Sequence, residues 1–273
     1  HRLKLRTQYS KGGDNQIREV IHAAKTSVFF LDEAQKVTWK DIGEQFEIEK
    51  FAKSLGADVH YLELKSQFRC NGSDGFITWL DEALGIIDVS ETSFEGINYD
   101  FKVFNDPTKL YKEIRSKNAE ANKSRMLAGY CWDWISRNDP EDFDIVFPEF
   151  DFKAKWNLES RGSAWLIDPN SIDDIGCIHT SQGLELDYVG VIVGADLRVV
   201  DGELTTDPSG RAGTDVSLHG FKKEFKENAE LATKKADQII RNTYRTLMTR
   251  GMKGCYIYCT DSEVAKYFQK RLD

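Results

Sequence analysis

The chain has 273 residues, 40% of them hydrophobic and 30% charged, with a formal net charge of −8. That length suits one large α/β domain or two smaller ones, and no apolar run approaches the ~18–20 residues of a membrane span. The acidic balance is opposite to that of a dedicated duplex-DNA binder, although a local basic groove can sit on an acidic protein.

In chain order, HRLKLRTQYS is basic but has no apolar run behind it, so it is not a signal peptide. The chain opens without Met, which predicts a natural N-terminus further upstream. Asp14 to Ala24 carries Ile17, Val20, Ile21 and Ala24 at helical spacing, with Asp14 as N-cap. SVFFLD, residues 27–32, predicts a buried parallel strand, 42–55 a helix, and 59–64 a strand. Ser73 caps a helix that Gly85 ends. Strands are predicted at 101–104 and 126–131, with a helix at about 108–119 between them. The aromatic, acidic stretch Trp132–Trp156 reads as an irregular insert, its tryptophans packing inward or stacking on bases. Further strands are predicted at 164–167, 175–179 and 189–193. Asp201-Gly202 predicts a hairpin, and the rest of 198–220 a mobile loop. Charged residues 222–238 lead into a long helix ending near Arg250, with Ile240, Tyr244, Leu247 and Met248 facing the core. Gly251 and Gly254 break it, CYIYC is the last strand, and 262–271 is a terminal helix.

Strands alternating with helices predict a mainly parallel sheet with helices on both faces. The five cysteines, Cys70, Cys131, Cys177, Cys255 and Cys259, are odd in number and scattered. That argues against a disulfide framework and for a reducing, cytoplasmic compartment. Cys255 and Cys259 share one strand face as core thiols, and no metal site is indicated.

Ligands of such sheets sit at the carboxyl ends of strands, so the residues delivered there are the candidates. Strand 27–32 delivers Asp32-Glu33-Ala34-Gln35. Asp32 is placed to hold Mg²⁺ directly or through water, and Gln35 to sense a γ-phosphate or its attacking water; solvated acids at a strand end are the alternative. Arg69, just before a helix start, can fork onto phosphate oxygens or remain a surface arginine. His179-Thr180-Ser181-Gln182-Gly183-Leu184-Glu185 is the most specific stretch. Its His and hydroxyls suit a nucleic-acid backbone, Gly183 allows close backbone approach, and Glu185 can accept from a ribose hydroxyl. Arg250, at a helix end beside the last strand, is either an arginine finger or a cation favoured by the helix dipole.

These segments occur in the order of the later motifs of superfamily 1 helicases. Asp32 with Gln35 resembles the third motif, QFRC with Arg69 the fourth, HTSQGLELD the fifth and TYRTLMTRG the sixth. VFFLDEAQKV, QFRCNGSDGFITWLD, AGYCWDW, GCIHTSQGLELDYVGVIVG and NTYRTLMTRGMKGCYIYC together resemble the Schlafen group 3-like DNA/RNA helicases, a mostly bacterial group of predicted ATPases. The resemblance implies a RecA-like P-loop NTPase fold. Residues 1–57 would be the tail of a first RecA-like domain. Residues 58–273 would be the second, with an aromatic insert near 132–160. It implies ATP hydrolysis coupled to nucleic-acid binding or remodelling, with Gln35, Arg69 and Arg250 catalytic. Asp32, Gln182, Gly183 and Glu185 would meet the nucleotide, and His179, Thr180 and Ser181 the nucleic acid. Arg250 would be the transition-state arginine. A nucleotide-gated regulatory module without strand separation is the rival reading.

Two departures from the pattern matter. No G-x-x-x-x-G-K-[ST] loop occurs; SKGGDNQ and SGRAGTD are the nearest pieces, and neither has the Lys-hydroxyl pair. Members also carry a DEAH-like acid motif followed by Arg-Leu, and this chain begins His1-Arg2-Leu3. ATP and Mg²⁺ would therefore be held mainly by residues outside this sequence.

Overall fold

The run LDYVGVIV, branched and apolar on both faces, makes a central strand, and GMKGCYIYC makes its neighbour. In the computed structural model these are β6 (Leu186–Val193) and β9 (Gly251–Cys259), paired in parallel. They are flanked by β1 (Asp100–Phe104) and β2 (Ser124–Ala128) in a four-stranded parallel sheet of order β1-β9-β6-β2. The structure describes residues 16–39, 45–63, 69–88, 92–157, 165–181 and 183–272.

Three more short strands extend the sheet beyond β2. A bridge from Leu127 to Gly176 carries β5 (Asp174–Ile175) alongside it. β5 pairs with β4 (Phe152–Trp156) in parallel, and β4 pairs with β3 (Ile145–Phe147) antiparallel. The aromatic insert thus contains a hairpin that the sequence reading left irregular. Trp156 is buried within it, whereas Trp132 and Trp134 are half-buried.

The helices follow their local signals. α3 (Asp74–Ala83) starts at Ser73, whose hydroxyl accepts from the Phe76 amide at 3.3 Å. α4 (Pro107–Ala121) is capped by Asp106, has Pro107 in its first turn and ends on left-handed Asn122. Gly190 lets α4 lie close on the sheet, because a Cβ there would meet Ile114 at 2.7 Å and Leu110 at 3.3 Å. α7 (Ala229–Met248) is the longest helix described, and α8 (Ser262–Lys270) closes the chain. Ile240, Tyr244, Leu247 and Met248 are all fully buried, as the helical spacing predicts. Cys255 and Cys259 are buried in β9. The hairpin at Asp201-Gly202 joins two four-residue strands, Leu197–Val200 and Glu203–Thr206, and both turn residues have positive φ.

Several expected strands are absent. Residues 27–32 and 59–63 form no strand among the described residues, with Phe30 84% and Leu62 95% exposed. Both runs have strand composition, but a strand persists only where a neighbour supplies its ladder bonds. The turn at Trp165–Ile167 replaces the strand expected at 164–167. The strand expected at 175–179 stops at Ile175, because Ile178–Ser181 coil into a single helical turn, α5. The two N-terminal helices are described as α1, Gln16–Ala23, and α2, Gln45–Ser54, each ending one residue before its pattern; residues 14–15 and 42–44 lie outside the described residues.

The expected mobile loop within 198–220 is instead anchored by Arg211. Its guanidinium, buried, donates to Asp196 at 3.0 Å, Asp215 at 3.4 Å, Thr243 at 3.0 Å, and the Ser217 hydroxyl. Desolvation pulls its pKa down, but the Asp196 and Asp215 carboxylates outweigh that and hold it raised. Tyr244 donates to Asp196 from α7, and Asp207 N to the Asp196 carbonyl at 2.9 Å. Arg211 belongs to SGRAGTD, so that glycine-bearing piece is occupied by an internal ion-pair network. A second buried arginine, Arg125 in β2, sits among neutral acceptors, with the Asp168 and Asp174 charges acting on it. It donates to Ser171, Asn118, Asn122 and the carbonyls of Ser124, Leu166 and Asp168. Burial lowers its pKa to about 10.

Candidate functional site

Two of the candidate residues, Glu185 and Arg250, stand together at the amino ends of the central strands. Glu185 immediately precedes β6 and Arg250 immediately precedes β9. The two strands start side by side: Leu186 is in register with Gly251, and its amide donates to the Arg250 carbonyl at 3.2 Å. Backbone pairing therefore sets the spacing of these two functional segments. Glu185 is exposed, whereas Arg250 is 5% exposed. Tyr99 reinforces the corner by donating to the Gly251 carbonyl at 2.8 Å.

The segment containing Arg69 joins the same corner. Residues Arg69–Gly72 form a 3-10 turn, and the buried Cys70 thiol lies 3.8 Å from the Thr249 carbonyl. The Arg69 side chain lies outside what the structure describes, as does Gln182. A second tie comes from α3, the helix that follows. Asp81 receives two hydrogen bonds from Arg245 of α7, at 2.5 and 3.0 Å, a forked ion pair. Burial works against the Arg245 charge, but the Asp81 bond and charge together with Asp32 outweigh it, and its pKa is raised.

Asp32 and Gln35 reach the same helix. Residues Glu33–Gln35 form a 3-10 turn in which the Gln35 amide side chain donates to the Asp32 carboxylate at 2.7 Å. Asn242 of α7 donates to the carbonyls of Lys36 at 3.0 Å and Glu33 at 3.4 Å. Three segments far apart in sequence, at 32–36, 69–81 and 185–186, thus gather on the second half of α7 and its junction with β9.

The expected nucleic-acid contacts are divided. His179 is exposed, its ring 6.3 Å from that of Tyr130. Thr180 accepts from the Cys177 amide at 2.7 Å and donates back to the Cys177 carbonyl at 3.0 Å. Ser181 is fully buried and donates to the carbonyls of Cys177 and Ile178. Its hydroxyl holds the turn's shape. Gly183 is exposed at φ 81°, with open space where a Cβ would stand.

Sequence reasoning missed Asn242, Arg245 and Asp81. The signal was present: Asn242, Thr243, Thr246 and Thr249 are polar positions in a stretch that is buried almost all round. Buried polar groups need partners: Asn242 meets the carbonyls of the 33–36 turn and Thr243 accepts from Arg211, whereas Thr249 turns back onto carbonyls of its own helix. Among the described residues, no three His, Cys, Asp or Glu side chains converge to hold a metal ion. No helix among them is long and apolar enough to cross a membrane.

Residues 1–261 match the Schlafen group 3 DNA/RNA helicase domain, and the chain belongs to that family. It is also similar to an uncharacterised protein of Saccharomyces cerevisiae, 26% identical over 282 residues. That match covers 92% of this chain and 58% of the yeast protein, so the chain spans well under two thirds of its relative's length. No solved structure matches.

Proposed function

We propose that the chain is the responding half of a superfamily 1 helicase-like ATPase that couples ATP hydrolysis to nucleic-acid binding or remodelling. In this reading most of it, from about residue 58, is a second RecA-like domain, and residues before that are the tail of the first. The observation that carries the proposal is the convergence of Asp32–Gln35, the Arg69 turn, Glu185 and Arg250 on one end of α7. Four motif segments far apart in the chain are tied to the second half of α7 and its junction with β9, which supports a shared nucleotide-sensing role.

The roles follow from chemistry and position. Arg250 supplies positive charge for the transferring phosphoryl group, and Arg69 a second guanidinium on phosphate oxygens. Gln35 senses the γ-phosphate or orients water, with Asp32 beside it. Exposed Glu185 accepts from the sugar, and Gln182 and Gly183 line the same loop. His179 and Thr180 face the nucleic-acid strand, while Ser181 shapes their turn. ATP binds here only in part. The sequence has no phosphate-gripping loop and the described residues offer no Mg²⁺ cluster, so that grip belongs to residues upstream. Phe30 and Leu62, apolar and exposed within runs of strand composition, support this division.

The test uses the full-length protein that naturally carries these residues. Single-stranded DNA or RNA is expected to stimulate its ATPase rate at least about tenfold. Hydrolysis that ignores nucleic acid of either kind would instead favour a nucleotide-gated regulatory module.

A further inference from the structure

We propose that Asn242 is a positioning residue that ties the Asp32–Gln35 turn to the helix carrying Arg250; this rests on the nucleotide-sensing reading above. Asn242 is 2% exposed, on the buried side of α7 that also carries Ile239, Thr243 and Thr246. Asparagine is a poor choice there by propensity, and a buried carboxamide is costly unless its hydrogen bonds are met. Its amide nitrogen meets two carbonyls, those of Lys36 and Glu33. These belong to the turn whose own bonds run from Gln35 N to Asp32 O and from Lys36 N to Glu33 O. The carboxamide thus fastens the outer carbonyls of a short turn to α7, beside the bond of the Gln35 side chain to Asp32 and that of the Gln45 amide to the Glu33 carboxylate.

The clamp has mechanical consequences. Asn242 and Arg250 are about two helical turns apart on α7 and its end, roughly 12 Å along a rigid rod. Arg245, one turn beyond Asn242, forks onto Asp81 and feels the Asp32 charge. The turn is held at its far side too, because the Trp39 amide donates to the Ser217 carbonyl at 2.6 Å within the loop that Arg211 anchors. A shift of Gln35 is therefore passed to α7 and Arg250 rather than absorbed by slack chain. Such coupling needs a contiguous set of packed or bonded groups with no flexible gap, and Asn242 closes the gap between the turn and the helix.

The experiment is Asn242→Asp in the full-length protein, with Asn242→Ala as a second variant should the first fail to fold. The aspartate keeps the size, removes both donors and sets a carboxylate against two carbonyls. Amide hydrogen exchange across 33–39 is expected to quicken about tenfold, as for one net hydrogen bond lost, while β6 and β9 keep their protection. Nucleic-acid-stimulated kcat is expected to fall about tenfold with the KM for ATP within about threefold, as for a misplaced group. Unchanged exchange at 33–39 in both variants overturns the clamp. Uniform loss of protection through the sheet overturns it as well, since the role would be stability alone. Quickened exchange with intact stimulation overturns the coupling. A wild-type protein with no stimulated hydrolysis removes the underlying reading and the coupling with it, while exchange at 33–39 still decides the clamp.

Discussion

Arg250→Ala in the full-length protein is expected to lower kcat for ATP hydrolysis about 10³-fold or more, with nucleotide affinity held within about threefold. The direction follows from what an arginine does at a phosphoryl-transfer site. Its charge is needed most where negative charge spreads in the transition state, and less in the ground state. The position supports the role. The Arg250 backbone is fixed by register, its carbonyl accepting from Leu186 while the next residue enters β9. The side chain is mostly buried, so Arg250→Lys is the necessary companion, keeping the charge and losing the planar fork. Lysine is expected to recover little of the rate and most of the fold. Equal losses in kcat and affinity for the alanine variant would make Arg250 a ground-state contact.

Arg211→Met is expected to destabilise the protein by about 3–5 kcal/mol, measured by urea unfolding. Methionine fills similar space but leaves Asp196 and Asp215 buried without their cation. It also removes the donors to Thr243 and Ser217. Burial, then Asp196, already push the Tyr244 hydroxyl well above its ordinary pKa, so it is a firm donor to the carboxylate but cannot replace a charge. Pairing the change with Asp196→Asn is expected to recover part of the loss, since the uncompensated carboxylate is its largest source. A loss under about 1 kcal/mol would mean that the loop's anchorage lies elsewhere.

The central architecture was legible because its signals are local. The apolar runs of β6 and β9, the Asp106-Pro107 start of α4 and the Asp201-Gly202 turn each name their own structure. What failed was pairing. Residues 27–32 and 59–63 have strand composition, but composition does not say whether a neighbour is present to complete the ladder. The site was legible as segments, through motif order, and illegible as a place. The expectation of carboxyl ends came from where ligands usually bind in doubly wound sheets. Here Glu185 and Arg250 each stand just before a strand, so parallel pairing of β6 with β9 brings them together at the amino ends. Arg211 was hidden for a different reason. Its glycine-bearing neighbourhood suggests a loop, and only the fold brings Asp196 and Asp215 around it.

The decisive measurement is ATP turnover by the purified 273-residue chain beside that of the full-length protein. In the proposed reading the isolated chain holds the sensing and transition-state residues without the loop that grips the phosphates. It is predicted to show no turnover above background, with or without nucleic acid, while the full-length protein turns over and is stimulated. Robust turnover by the isolated chain, abolished by Arg250→Ala, would contradict its assignment as the responding half of the site.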